Sequence, residues 1–205
     1  MEDDPVEVNR RLWDERAGIH ARDATGFYRL DEIRSGRRRF GPIEETELGD
    51  IRGKDVLHLQ CHIGTDTVCL ADRGARVTGL DFSGVALEAA SGLAKDCGFD
   101  VRFVQARVEE APRVAPGPFD LIFTSWGTIA WLPDIRAWGQ AVFGVLRLGG
   151  ELYFADAHPG FLLMEEEAER MVPTWDFRTA RDRPVEVVQA TTYSGIPPRW
   201  PTSGN

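Results

Sequence analysis

The stretch Asp55-Val56-Leu57-His58-Leu59-Gln60-Cys61-His62-Ile63-Gly64-Thr65 constrains this chain more than any other. An aliphatic, partly β-branched run breaks into a short turn, and the turn opens onto a helical pattern. A second apolar run, Val77-Thr78-Gly79-Leu80, then ends on Asp81, followed by Phe82 and Ser83. Strand, tight turn, helix, strand and acid is the layout of a nucleoside site in an open α/β sheet. There the turn brings its backbone to the ligand, and the carboxylate accepts hydrogen bonds from the ribose hydroxyls. Two classes of ligand remain, a dinucleotide or S-adenosylmethionine.

The same alternation continues through the middle of the chain. Strand patterns at Val56–Leu59, Arg76–Leu80, Val101–Val104, Leu121–Thr124 and Glu151–Ala155 alternate with helical windows at Thr65–Arg73, Gly84–Cys97 and Asp134–Leu146. Each window is followed by a glycine (Gly74, Gly98, Gly149), where a helix C-cap favours one. After the third strand, Pro112, Pro116 and Pro118 leave room for a short helix or none. Short apolar strands alternating with helices pair in parallel through right-handed crossovers. The expected fold is α/β, with a doubly wound, mostly parallel, Rossmann-like sheet over residues 51–158.

Residues 1–50 are polar and rich in charge. Leu12, Trp13, Ala17 and Ile19 are spaced for an amphipathic helix over Val8–Ala21, with a second helical stretch near Phe27–Ile33. This segment reads as an N-terminal helical cap. Residues 159–205 read as a short lid and tail. Phe161–Met171 suits a short helix and Val185–Tyr193 a strand, and the last residues are turn-rich and expected to be disordered. So short a C-terminal part suggests a truncation, or completion by a partner chain in a homo-oligomer.

A chain of 205 residues is long enough for one sizeable core. With no apolar run near the roughly 20 residues that span a bilayer, no membrane partner is expected. Three cysteines, Cys61, Cys69 and Cys97, are too few and too odd for a disulfide framework, which points to a reducing cytoplasm. The net charge of −9 would repel a nucleic acid backbone, and the basic run Arg34–Arg39 reads as a solvated loop. His58, Cys61 and His62 lie on a strand running into a turn, where neighbouring side chains face opposite ways, and no further ligand cluster accompanies them. No metal is expected.

From about Trp13 to His158 the order of motifs resembles the class I S-adenosylmethionine-dependent methyltransferases. In that family the first strand and turn usually read acid-x-Gly-x-Gly-x-Gly. The matching positions here are His58, Gln60, His62 and Gly64, so one glycine remains and the acid is replaced. Leu57–Thr67 nevertheless resembles a His-Leu-Gln-Cys variant subgroup of small-molecule methyltransferases. That subgroup also carries the Gly-x-Asp-Phe-Ser end to the second strand (Gly79–Ser83) and a Trp-Asp-Glu-Arg segment (Trp13–Arg16).

The resemblance implies S-adenosylmethionine as the cofactor and suggests a role for each matching position. Asp81 would hold the ribose diol, with Phe82 against the adenine or the ribose edge and Ser83 capping the next helix. Gln60 and His62 would present amides to the methionyl carboxylate, while Cys61 would be a small residue of the pocket wall. Gly64 would allow close approach or a positive φ. Ala106, Arg107 and Val108 would frame the adenine, whose amine would turn to a backbone carbonyl or to Glu109. Ser125 and Trp126 would line the sulfonium end, and Trp13 and His20 belong to the segment that caps the cofactor. His20 and His158 are candidates for a general base, although a structural or solvated role is the ordinary fate of such histidines.

The implied reaction is an in-line methyl transfer in which the protein supplies alignment, worth on the order of 7–11 kcal/mol when geometry is good. An Asn/Asp-Pro-Pro-aromatic motif after the fourth strand and the Pro-Cys of cytosine enzymes are both missing, so a small-molecule acceptor is favoured. A non-catalytic cofactor-binding remnant is one alternative. A nicotinamide-dependent oxidoreductase is another, but it would want glycine where Gln60 and His62 stand.

Overall fold

The computed structural model describes residues 4–37, 40–158, 160, 164–167, 170–173 and 194. Five strands form one sheet: β1 (Asp55–Leu59), β2 (Arg76–Asp81), β3 (Arg102–Gln105), β4 (Phe119–Ser125) and β5 (Leu146–Ala155). Their order is β3-β2-β1-β4-β5 and every neighbouring pair is parallel. In the central strand Val56 lies opposite Val77 on one side and Leu121 on the other.

β1 is apolar on both faces because both are covered. Leu57 and Leu59 join Leu80, Ile122 and the Trp138 and Val142 side chains of α7 (Ile135–Val145). Val56 joins Val77, Leu121, Phe123 and the Cys69 and Leu70 side chains of α4 (Thr65–Asp72). Each such large aliphatic side chain contributes about 1.5–3 kcal/mol of burial free energy.

Local signals set the helix ends. α1 (Pro5–His20) begins at Pro5 rather than Val8, because Asp4 caps it with a carboxylate that accepts from Val6 N at 3.0 Å. α5 (Gly84–Asp96) starts on Ser83, whose hydroxyl accepts from Ala86 N. Gly74 and Gly98 close α4 and α5 with left-handed turns, in which Ala75 N reaches Leu70 O and Phe99 N reaches Ala94 O. Gly149 does no such work. α7 ends at Val145, and Leu146 already pairs with Phe119 in an extended conformation, so Gly149 falls within β5 where its register with β4 shifts.

Other expectations change in detail. The helix near Phe27–Ile33 is only α2 (Leu30–Arg34), since Asp23 takes the amides of Tyr28 and Leu30 and holds the preceding residues in a bend. A further short helix, α3 (Pro42–Glu47), has no counterpart in the sequence reading. After β3 a single turn at Val108–Glu110 leads into the short α6 (Ala111–Val114), as the prolines require. The described part of Phe161–Met171 is not helical. It contributes to an antiparallel pair, β6 (Met164–Glu167) and β7 (Arg170–Pro173), in which Glu166 lies opposite Met171. Strand pairing gives these backbone groups partners that an isolated short helix holds poorly. The expected strand Val185–Tyr193 and the turn-rich end lie outside the described residues. Among the described residues no helix is long and apolar enough to cross a membrane.

Candidate functional site

The strand order places a topological switch between β1 and β4. The chain leaves β1 toward β2 on one side and returns through β4 on the other. Ligands of open α/β sheets bind at such a point, outside the carboxyl ends of the strands.

The turn after β1 bends through three left-handed residues, Gln60 (φ +54°), His62 (φ +49°) and Gly64 (φ +78°). Only the last is a glycine, and its missing side chain serves packing as well as φ. A Cβ there would meet the Ala90 Cβ of α5 at 2.7 Å. The turn's amides are largely engaged within the protein: Cys61 N donates to Leu80 O, Gly64 N to Cys61 O, and His62 N to Asp81 Oδ2 at 2.9 Å. The amide of His62 therefore serves the neighbouring carboxylate, where the sequence reading offered it to a ligand.

Asp81 ends β2 and is 6% exposed. Burial pushes its carboxyl up to about 6, against the lowering effect of amide donors from Ser83, His62 and Phe82, and nearby Asp14 raises it further. Ser83 N reaches Oδ1 at 2.9 Å. Ser83 is the cap of α5, as expected, and its hydroxyl also donates to Asp14 of α1 at 2.6 Å. Phe82 is half-buried, with its carbonyl taking Gln105 Nε2.

α1 lies across this end of the sheet. Trp13 meets the edge of His62 at 5.2 Å and that of Trp131 at 5.3 Å. The buried Arg16 guanidinium stands over both indoles. His20, wholly buried, places Nδ1 2.8 Å from His62 Nε2 and 2.9 Å from the Tyr28 hydroxyl. Burial and then the charge of Arg16 push His20 down to about 4, while burial, His20 and Arg16 push His62 down to about 3. Both rings are neutral near pH 7.

On the β4 side, Gln60 Nε2 donates to Thr128 O at 3.1 Å. Gln60 Oε1, Thr124 Oγ1 and Thr128 Oγ1 are buried with no hydrogen-bond partner among the described residues. Ser125 Oγ donates to Asp66 on the first turn of α4. Trp126 turns away toward α3, where its indole N–H meets the buried Glu44, and it is 48% exposed.

The remaining expected residues stand apart or serve other contacts. Cys61 is buried beneath the turn, and burial followed by Asp81 pushes its thiol well above the ordinary range, so it is no nucleophile. His58 is likewise a core histidine, bonded to Thr67 and edge-on to Phe123. Ala106 and Val108 are buried, and Ala106 N donates to Asp81 O. Arg107 is exposed and pairs with Asp4 at 3.0 Å, and Glu110 folds back onto its amide. His158 is exposed and accepts from Gly160 N. The structure thus gathers Trp13, His20, Gln60, His62, Asp81 and Ser83, and turns Trp126 and Arg107 toward other partners. It adds Tyr28, Thr128 and Asp156, none of which belongs to a motif legible in the sequence.

Comparison with known proteins bears on the family and the fold. A family model for a methyltransferase domain matches residues 56–150. The ubiquinone biosynthesis O-methyltransferase of Cronobacter sakazakii is 33% identical over 117 residues, covering 57% of this chain and 47% of that one. The same enzyme of Sodalis glossinidius is 32% identical over 131 residues, covering 61% and 52%. The chain thus spans about half the length of the curated relatives it matches. Among solved structures, the DhpI-SAH complex shares 26% identity with a TM-score of 0.58, covering 80% of this chain and 74% of that one. With its all-parallel sheet, acid-ended second strand and match to a methyltransferase-domain model over residues 56–150, the core of this chain is similar to the class I S-adenosylmethionine-dependent methyltransferases.

Proposed function

We propose that this chain binds S-adenosylmethionine across the carboxyl ends of β1, β2 and β4 and transfers its methyl group to a small-molecule acceptor. The observation that carries the reading is Asp81, a buried carboxylate ending the strand beside the switch point. The donor set suits the cofactor. The His62 amide meets one Asp81 oxygen and the Ser83 amide the other, with the Phe82 amide a further donor, and an ionised carboxylate has about four lone-pair sites, so acceptor capacity remains for the ribose. Gln60 Oε1 and Thr128 Oγ1 are buried polar atoms with no hydrogen-bond partner among the described residues. The names of the curated relatives, and the DhpI complex with SAH, support the same chemistry. The Leu57–Thr67 motif is read as marking the His-Leu-Gln-Cys variant subgroup.

When bound, the sulfonium supplies an activated methyl group, and the remaining work is the chain's own. Asp81 would fix the nucleoside end, and α1 would cap it through Asp14 on Ser83 and Trp13 on His62. The His20–His62 pair is neutral near pH 7 and held well below the range of an efficient base, so it would orient an acceptor by hydrogen bonding rather than take its proton.

Calorimetric titration with S-adenosylmethionine and S-adenosylhomocysteine, comparing wild type with Asp81→Ala, tests this assignment. Losing two charge-assisted ribose bonds should weaken binding by about 2–4 kcal/mol. Equal affinity in the two proteins would remove Asp81 from the site.

A further inference from the structure

The bend after β4 has an unusual support. Trp126 (φ +45°) and Gly127 (φ +75°) are left-handed in succession. Such a bend turns consecutive amides toward one point, a concavity that favours an anion. The anion here is Asp156, from the chain just beyond β5. Its Oδ1 accepts from Gly127 N at 2.6 Å, and its Oδ2 accepts from Thr128 N at 3.2 Å and Ile129 N at 3.4 Å. Its Oδ1 also takes the amide of Ala157 at 2.7 Å.

What this holds in place is Thr128. Its carbonyl takes the Gln60 amide N–H, which leaves Gln60 Oε1 as a pure acceptor, and Oε1 and Thr128 Oγ1 both lack a hydrogen-bond partner among the described residues. Thr128 is 8% exposed. A buried amide oxygen of this kind is unfavourable until a donor reaches it. A carboxylate has no proton to give it, whereas an ammonium has three donors.

We propose that Asp156 is a positioning residue, holding Thr128 against Gln60 so that their unpartnered oxygens receive the α-ammonium of the cofactor's amino-acid end. The proposal rests on the reading that the chain binds S-adenosylmethionine. It assigns Gln60 to the ammonium and not to the carboxylate.

The test compares wild type, Asp156→Asn, Thr128→Val and Thr128→Ser by calorimetry with two probes. One is S-adenosylhomocysteine. The other is 5′-methylthioadenosine, which keeps the adenosine and lacks the amino-acid end. Hydrogen exchange at amides 127–129 of the unliganded proteins is read alongside. In Asp156→Asn an NH₂ replaces one acceptor oxygen, so exchange at 127–129 should quicken. Affinity for S-adenosylhomocysteine should fall about tenfold, the equivalent of about one hydrogen bond, with 5′-methylthioadenosine binding unchanged. Thr128→Val should show the same selective loss without faster exchange, and Thr128→Ser should restore affinity. Equal weakening toward both probes, or toward neither, overturns the proposal while leaving cofactor binding intact. Failure of the wild type to bind S-adenosylhomocysteine would sink the cofactor reading and this inference with it.

Discussion

Nδ1 of His20 on α1 stands 2.8 Å from Nε2 of His62 in the turn after β1, and the two rings meet nearly at right angles. At that distance one proton is shared, and two positive rings would repel strongly beside Arg16. The pair is therefore stable only while neutral. His20 is held at about 4 against an ordinary 6.5. The unfolded chain thus binds the proton first as the pH falls. Stability is complete above about pH 6.5 and is lost as the pH drops toward 4. At about 1.4 kcal/mol per pH unit, His20 alone should cost about 2 kcal/mol between pH 7 and 5. Urea unfolding of wild type and His20→Gln at both pH values should show a shallower loss in the variant, and identical slopes would contradict a neutral buried pair.

Asp81 has the opposite sign. Its folded value of about 6 lies above the ordinary 3.8, so the folded state gains a proton in a window where the unfolded chain does not. Removing that ionisation favours folding of the unliganded protein as the pH falls, yet a ribose diol needs the ionised form as its acceptor. Affinity for S-adenosylhomocysteine should therefore decline as the pH passes below about 6, with uptake of a proton from buffer when complexes dissociate there. Titrations at pH 7.5, 6 and 5 in buffers of different ionisation enthalpy would reveal it. Flat affinity across that range would mean that Asp81 stays ionised or does not meet the ligand.

The strands themselves and the position of Asp81 were legible because they are local: an aliphatic run, a turn and an acid at the next strand end. The turn's conformation was harder to read. Gln60 and His62 take the left-handed backbone that glycine takes readily, although a side chain there costs about 1–2 kcal/mol. Nothing in those residue types announces it. The destinations of Trp126 and Arg107 were illegible for another reason. Each depends on a partner far along the chain, Glu44 for one and Asp4 for the other. Asp156 escaped notice likewise, since its ligands are backbone amides of residues 127–129.

Gly64 separates conformation from packing. A side chain there would sit 2.7 Å from Ala90 Cβ and 3.1 Å from Ala90 Cα, at φ +78°. Gly64→Ala should lower stability by about 2–5 kcal/mol, combining left-handed strain with overpacking. Adding Ala90→Gly removes the nearer contact and leaves the strain. The double variant should therefore be less destabilised than the sum of the two single changes, by denaturant unfolding. Strict additivity would show that α4 and α5 can separate without penalty.

Trp126 decides how far the cofactor wall extends. Its indole N–H is bound to Glu44, which is 3% exposed, so the side chain belongs to the contact between the β4 bend and α3. Trp126→Phe leaves that carboxylate without the indole donor, which should cost about 1–3 kcal/mol in urea unfolding. Glu44→Gln in the same background removes the buried charge and should recover part of the loss. Because the indole N–H is held by Glu44, affinity for S-adenosylhomocysteine should stay within about twofold of wild type, well under the tenfold that 1.4 kcal/mol represents. A tenfold fall with the fold intact would return Trp126 to the ligand wall, with α3 then part of the site's boundary.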